Sequence, residues 1–258
     1  MLALAFGVHY RVATVIEKTG LNPAMPPPTV HAMSHRSTDA GGAYYYADLF
    51  DAAIRAAGFD LEPGMKGLDF GCSSARLVRI LQLVFPHTEW YGCDPNVGAI
   101  DWATAHLPGI HFFVSPTEPP LPLADGFLDV VVAISIWSHF SEQAALRWFD
   151  EMERLIRPGG ILVLTVQGWT SVQLLAERKL WGREQLQVTI DDLYSRGISY
   201  VEVFGPGGDH GVASPDWGMT HLSPEWLTAH LCPPWSVLDF EPGRVEDHQD
   251  LVVLRRGK

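Results

Sequence analysis

Basic residues are scarce in this chain: 18 Lys and Arg stand against 30 Asp and Glu among 258 residues, a formal net charge of -12 at pH 7. No stretch concentrates base against that negative field, which argues against DNA, RNA or an anionic membrane as the main partner. Cysteine is scarcer still. Cys72, Cys93 and Cys232 are odd in number and far apart, with no close pair of the zinc or redox type, a pattern that reads as a reducing cytoplasm. Long apolar runs are missing too. The longest, Val130 to Trp137, has eight residues and includes Ser135, where a membrane span needs about 20. The apolar start of residues 1–20 is interrupted by Arg11, Glu17 and Lys18 with no small-residue cleavage site behind it, so it reads as neither signal nor anchor. Charged residues make up 19% and hydrophobic residues 47%, a balance that speaks against long disordered tails and for a packed globule, one domain with an insertion.

Glycine and proline are plentiful, 24 and 19 residues, and they punctuate the chain. Pro23, Pro26, Pro27 and Pro28 read as a stiff linker, so residues 1–32 are expected to be an N-terminal extension and 33–258 the folded domain. Within it, helical patterns alternate with short apolar runs. Helices are expected over 44–57, 75–84, 96–106 and 141–156, the last capped by Ser141, and strands over 66–70, 89–93, 110–114, 128–134 and 161–166, with a turn at 157–160. Such a rhythm with short connections predicts an α/β fold, a doubly wound, mostly parallel sheet with helices on both faces. Its ligand belongs at the carboxyl ends of the strands. Residues 167–234 break the rhythm with Trp169, Trp181, Trp217 and Trp226 and many glycines, and read as an inserted lid over the substrate. Two final strands, 235–240 and 250–255, are expected to close the sheet as an antiparallel C-terminal edge.

The loop after the first strand, Leu68-Asp69-Phe70-Gly71-Cys72-Ser73-Ser74-Ala75-Arg76, lies where glycine lets a ligand approach the backbone. A dinucleotide fingerprint needs glycines at its first, third and sixth positions, and only the first is glycine here. Further along come Cys93-Asp94-Pro95 at the end of the second strand, Pro120-Leu121-Pro122-Leu123-Ala124-Asp125-Gly126-Phe127-Leu128-Asp129 leading into the fourth, and Leu155-Ile156-Arg157-Pro158-Gly159-Gly160 turning into the fifth. In order and spacing, residues 43–168 resemble the class I S-adenosylmethionine-dependent methyltransferases, whose sheet is Rossmann-like. The resemblance implies that Asp94 binds the ribose hydroxyls, and a carboxylate at a strand end can accept from both in charge-assisted bonds. It implies that Asp69, or the carbonyls of Gly71 and Ala133, receive the methionine ammonium, with Cys72, Ser73, Pro95, Ser115 and Ile134 completing the cofactor site. Two blander roles remain open: Asp94 capping the following helix, and Asp69 bonding the amides of its own loop. Ser73 and Ala75 stand where the family usually has glycine; Ser73 can instead donate a hydrogen bond at the methionine end.

After the fourth strand the chain reads Ala133-Ile134-Ser135-Ile136-Trp137-Ser138-His139, without the Asn or Asp followed by two prolines that amine methyltransferases of the class often carry. An oxygen acceptor is therefore expected, with His139 as general base and His221 as the competing base from the lid side. His139 capping the helix that starts near Ser141 is the bland alternative. A looser resemblance, in the Ser135-to-His139 stretch, the proline-rich approach and the tail Gln249-Asp250-Leu251-Val252-Val253-Leu254, is to bacterial sugar or polysaccharide O-methyltransferases. Trp137, Trp169 and Trp217 are candidate stacking surfaces for a sugar, and Arg36, beside His35, a candidate for an acidic group. Asp209, His210, Asp216, His221, Asp247 and His248 offer ligands for a divalent cation such as magnesium, although their spacings match no metal motif. The expectation is a cytoplasmic O-methyltransferase acting on a small-molecule or oligosaccharide acceptor; methylation of a non-sugar metabolite and a regulatory protein that binds the cofactor without turnover are its rivals. Oligomeric state is left open, a homodimer being compatible.

Overall fold

The computed structural model describes residues 19–28, 30, 43–205, 207–209 and 212–258. Its nine strands form the expected Rossmann-like, mostly parallel sheet with an antiparallel edge and flanking helices. By contact the chain divides into two units, residues 1–117 with 128–132, and residues 118–127 with 133–258.

In the first unit, α1 (Tyr44–Ala56) buries Leu49, Phe50, Ala53 and Ile54 along one face, and Gly58 follows it in the left-handed conformation. β1 (Lys66–Phe70) pairs in parallel with β2 (Glu89–Asp94), from Lys66 beside Glu89 to Phe70 beside Cys93. β2 pairs in parallel with β3 (His111–Val114), and β1 with β4 (Leu128–Ala133) from Gly67 to Asp69. The crossovers are α2 (Val78–Val84) and α3 (Val97–His106). Gly67 has to be glycine, because a Cβ there would sit 2.5 Å from the wholly buried ring of Trp90. α2 starts three residues later than the sequence predicts, because residues 71–77 form the ligand-type loop. Residues ahead of α1 also pack on this unit. Leu21 is buried, the Arg79 guanidinium donates to the carbonyls of Asn22 (3.3 Å) and Ala24 (2.7 Å), and the Asn22 amide donates to the carbonyl of His106.

In the second unit, Ser141 accepts from the Ala144 amide and caps α4 (Glu142–Leu155), as its sequence predicts. The proline-rich segment is fixed by one side chain: Arg154 donates to the carbonyls of Leu121 and Leu123 and to the carboxylates of Asp125 and Glu151, while Glu151 accepts from the Leu121 amide. β5 (Ile156–Gln167) begins five residues earlier than expected, since the predicted turn, with Gly159 at φ 82°, is carried inside the strand. Residues 167–234 are largely regular: α5 (Trp169–Glu177), α6 (Arg183–Arg196), β6 (Ile198–Val201), β7 (Met219–Leu222) and α7 (Pro224–Leu231). β7 pairs antiparallel with β6 and meets β5 in parallel at Gln167 beside His221. β8 (Trp235–Val245) and β9 (Gln249–Arg256) are the two expected final strands, antiparallel to each other, with β9 antiparallel to β5 from Ile161 to Gln167. Among the described residues no helix is long and apolar enough to cross a membrane.

Candidate functional site

β1 delivers Asp69, and the loop that follows is stitched to the end of β2. The amides of Gly71 and Cys72 both donate to the Cys93 carbonyl at 2.9 Å. Asp94 holds two chain segments at once, accepting from the Ser73 amide at 2.8 Å and the Asn96 amide at 2.9 Å. Its own carbonyl accepts from the Ser115 amide at the end of β3. Pro95, next in the chain, is half-buried. The helix-capping role considered for Asp94 belongs instead to Asn96, whose side chain accepts from Ala99 at the start of α3. Asp69 does bond an amide, that of Val78 at the N-terminus of α2, at 3.1 Å.

The backbone is left-handed at Gly71, Ser73 and Ala75, with φ of 78°, 49° and 62°. Glycine adopts this freely, whereas an L-residue incurs about 1–2 kcal/mol. The two departures from the family's glycine pattern thus fall on conformations that glycine favours. Ser73 is 2% exposed and its hydroxyl has no hydrogen-bond partner. Asp69 is buried too, and its carboxyl is pushed up to about 7, chiefly by burial, with the nearby Asp94 charge adding and the Val78 amide and Arg76 opposing. Burial also raises the thiols of Cys72 and Cys93, which stay neutral. Two buried acids at adjacent strand ends, with an unmatched hydroxyl between them in sequence, fit a cationic amino acid joined to a ribose. Asp69, Gly71 and Ser73 would hold the amino-acid end and Asp94 the ribose.

In the second unit, Ala133 and Ile134 at the end of β4 are buried. Ser135 turns the chain at φ 57°, tied to Thr165 and Gln249. Residues 138–141 then pair with 216–220 in a short ladder: the Gly218 amide donates to His139, Thr220 to Ser138 and Ser141 to Asp216, and Phe140 bridges Trp217. His139 Nδ1 lies 2.8 Å from the Gly218 carbonyl. A carbonyl only accepts, so Nδ1 carries the proton and Nε2 is the basic nitrogen of the neutral ring. The ring rests on Trp217, with centroids 4.6 Å apart, and the buried Trp217 indole N–H has no partner. His139 therefore does not cap α4. Its partner Gly218 went unrecognised in the sequence, because the two lie far apart along the chain.

The other candidates have different surroundings. Trp137 has no exposed surface; its ring packs on Phe149 at 4.7 Å and its N–H points to the Ala145 carbonyl, so it belongs to the core and is no stacking surface for an acceptor. Trp169 is 37% exposed and faces Tyr194, 80% exposed, at 4.8 Å across α5 and α6. His221 is 0% exposed, its Nε2 is 3.5 Å from Ser171 Oγ and its Nδ1 has no partner; burial, with His248 adding, brings its pKa down to about 3. Ser171 also meets His248 Nε2 at 3.1 Å. Such an imidazole stays neutral, but without access to solvent it accepts no substrate proton in this conformation. Among the described residues no group of three or more His, Cys, Asp or Glu side chains could hold a metal. Asp216 is engaged by Ser141 and Arg147. Arg36, His35 and His210 lie outside the described residues.

Residues 68–164 match the family model described as a methyltransferase domain. The chain is 28% identical over 136 residues to malonyl-[acyl-carrier protein] O-methyltransferase of Hahella chejuensis, covering 45% of this chain and 47% of that protein. It is 26% identical over 152 residues to an uncharacterized 37.1 kDa protein in a transposon of Streptomyces fradiae, covering 57% of this chain and 41% of that protein. The chain thus spans less than half the length of these curated relatives. A solved S-adenosylmethionine-dependent methyltransferase from Methanosarcina mazei shares the fold at a TM-score of 0.53 and 18% identity, over 76% of this chain and 94% of that one.

Proposed function

We propose that this protein, which carries the class I S-adenosylmethionine-dependent methyltransferase fold, transfers the cofactor's methyl group to a hydroxyl of a sugar or oligosaccharide. The observation that carries the cofactor reading is the pair of buried carboxylates, Asp69 and Asp94, at the ends of β1 and β2 inside the matched domain. The cofactor supplies a methyl group already activated by its sulfonium, so the chain's contribution is to orient the acceptor, exclude water and remove a proton. Asp94 receives the ribose hydroxyls and Asp69 the ammonium. His139 Nε2 takes the hydroxyl proton, in the tautomer that its bond to Gly218 dictates. Its partial exposure, set against the complete burial of His221, favours His139 as the base.

The acceptor reading rests on the absent amide at the end of β4 and on the exposed pair Trp169 and Tyr194, flat apolar rings of the kind sugars stack on. Residues 167–234 cover the acceptor in this reading. The Hahella relative, named for O-methylation of malonyl-[acyl-carrier protein], favours a second reading in which the oxygen belongs to a carboxylate. Incubation with methyl-labelled cofactor and separate pools of oligosaccharides, phenols and carboxylic acids, read by mass spectrometry, decides between them. A mass gain of one methyl on a saccharide supports the first reading and on a carboxylic acid the second. Cofactor binding with no labelled product in any pool leaves a regulatory protein.

A further inference from the structure

Arg79, in the first turn of α2, is a buried cation, 4% exposed. Its Nη1 donates to the carbonyls of Asn22 and Ala24, its Nε reaches the Ala75 carbonyl at 3.4 Å, and its guanidinium carbon lies 5.6 Å from the centre of the Trp102 ring. These partners are dipoles and a ring quadrupole, and none carries a full negative charge. Among the described residues no carboxylate pairs with Arg79, and its Nη2 has no hydrogen-bond acceptor. Burial lowers the group to about 10, so it keeps its charge at neutral pH. A buried charge without a counter-charge is unfavourable, and it marks Arg79 as one half of a pair.

Arg79 lines a pocket of about 200 Å³. No Asp or Glu lines it among the described residues, and Leu83, Leu107 and Pro108 make its wall apolar. The side-chain amides of Asn22 and Gln82, also in the wall, are spent on the carbonyls of His106 and Gly109. α2 and α3 run back from the carboxyl ends of β1 and β2, and Leu83, Leu107 and Pro108 stand where these helices hand over to the amino ends of β2 and β3. That wall is therefore at the opposite end of the strands from Asp69 and Asp94.

The pocket is smaller than the sites that hold whole cofactors. One guanidinium balances one negative charge, and a carboxylate accepts charge-assisted hydrogen bonds from it. A phosphate dianion would leave a second negative charge against leucine side chains, in a chain whose net charge is already -12. We infer that this pocket is an effector site for a short-chain aliphatic monocarboxylate, its carboxylate on the Arg79 guanidinium and its alkyl chain against Leu83 and Leu107. The occupant ties residues 20–24 to α2 and α3. The site is separate from the cofactor loop and independent of the proposed methyl transfer.

The test titrates the full chain with sodium butyrate, its uncharged analogue butyramide, and inorganic phosphate, followed by heteronuclear NMR. Wild type should bind butyrate saturably at roughly millimolar concentration, as so small a ligand allows, with shifts at the amides of Gly20, Leu83 and Leu107. Butyramide and phosphate should each bind about tenfold more weakly or worse, since neither matches the single positive charge. Arg79→Gln should lose butyrate to the same extent. Leu83→Glu keeps Arg79 and places a tethered carboxylate one helical turn from it, so this variant should exclude butyrate even if Arg79→Gln fails to fold. Equal affinity for butyrate and butyramide, tighter binding of phosphate, or butyrate binding unchanged in Leu83→Glu would each overturn the inference. So would butyrate shifts confined to residues outside the pocket, or no saturable binding of butyrate at all.

Discussion

Asp94 bonds two backbone amides and so holds the loop after β1 to the end of β2, and the proposed function gives it the ribose diol as well. Asp94→Ala should weaken S-adenosylmethionine by about 1.5–3 kcal/mol. Asp94→Asn, which retains one acceptor oxygen, should lose less. Calorimetry with equal affinity for wild type and Asp94→Ala would remove this residue from the site. Asp69 adds a pH signature. Its carboxyl titrates near 7, so below that pH it is mostly protonated, and a cationic ligand beside it favours the ionised form. Affinity should rise with pH through about 7, and binding at pH 6 should release a proton, seen as a dependence of the calorimetric heat on buffer ionisation enthalpy that Asp69→Asn lacks. His139→Ala should lower turnover by roughly 10²–10⁴ and leave cofactor affinity unchanged, because base catalysis acts in the transition state. The strand-end positions of Asp69 and Asp94 could be read from the sequence because the amides they bond lie no more than 21 residues away. Trp137 could not: an aromatic residue past a strand end looks alike in sequence whether it faces solvent or, as here, Phe149.

Among the elements, α4 holds the proline-rich segment through one residue that sequence reading passed over. Arg154 gathers Leu121, Leu123, Asp125 and Glu151, and Glu151 is buried. Arg154→Ala leaves that carboxylate without its cation and should destabilise the protein by about 3 kcal/mol, the cost of breaking one side of a buried pair, measured by denaturant unfolding. A loss under about 1 kcal/mol would show that Asp125 and solvent suffice. Helix and strand order, the capping of α4 by Ser141 and the antiparallel end were legible because they follow local periodicity and end signals. The ladder between residues 138–141 and 216–220 was not, since strand pairing over that distance leaves no local trace. Residues 167–234 hold more regular structure than their glycines and tryptophans suggest, with α6 ended by Gly197 in the left-handed conformation, a stop signal that the sequence carries.

At the scale of the whole molecule, Asp69, Asp250 and His221 pull stability in opposite directions with pH. Asp69 is raised to about 7 and Asp250 to about 6, so the folded state holds their protons longer than the unfolded one, and stability falls as pH rises from about 4 to those values. His221 is lowered to about 3, so the unfolded chain takes up a proton that the folded one refuses, and stability falls as pH drops from about 6.5 towards 3. His221→Gln should therefore show a smaller drop in thermal midpoint between pH 8 and pH 5 than wild type. An identical drop would mean that His221 finds water in the folded state.

The ladder that seats His139 also has a kinetic consequence. Its two halves are separated by α4, β5, α5, α6 and β6, so closing it means ordering a loop of about 80 residues, whose entropy opposes early formation. The Asp69 and Asp94 loops, by contrast, close over short distances. During refolding the Asp69 and Asp94 loops should form before the ladder that seats His139, so under the proposed function a population able to bind the cofactor but lacking the base precedes the active one.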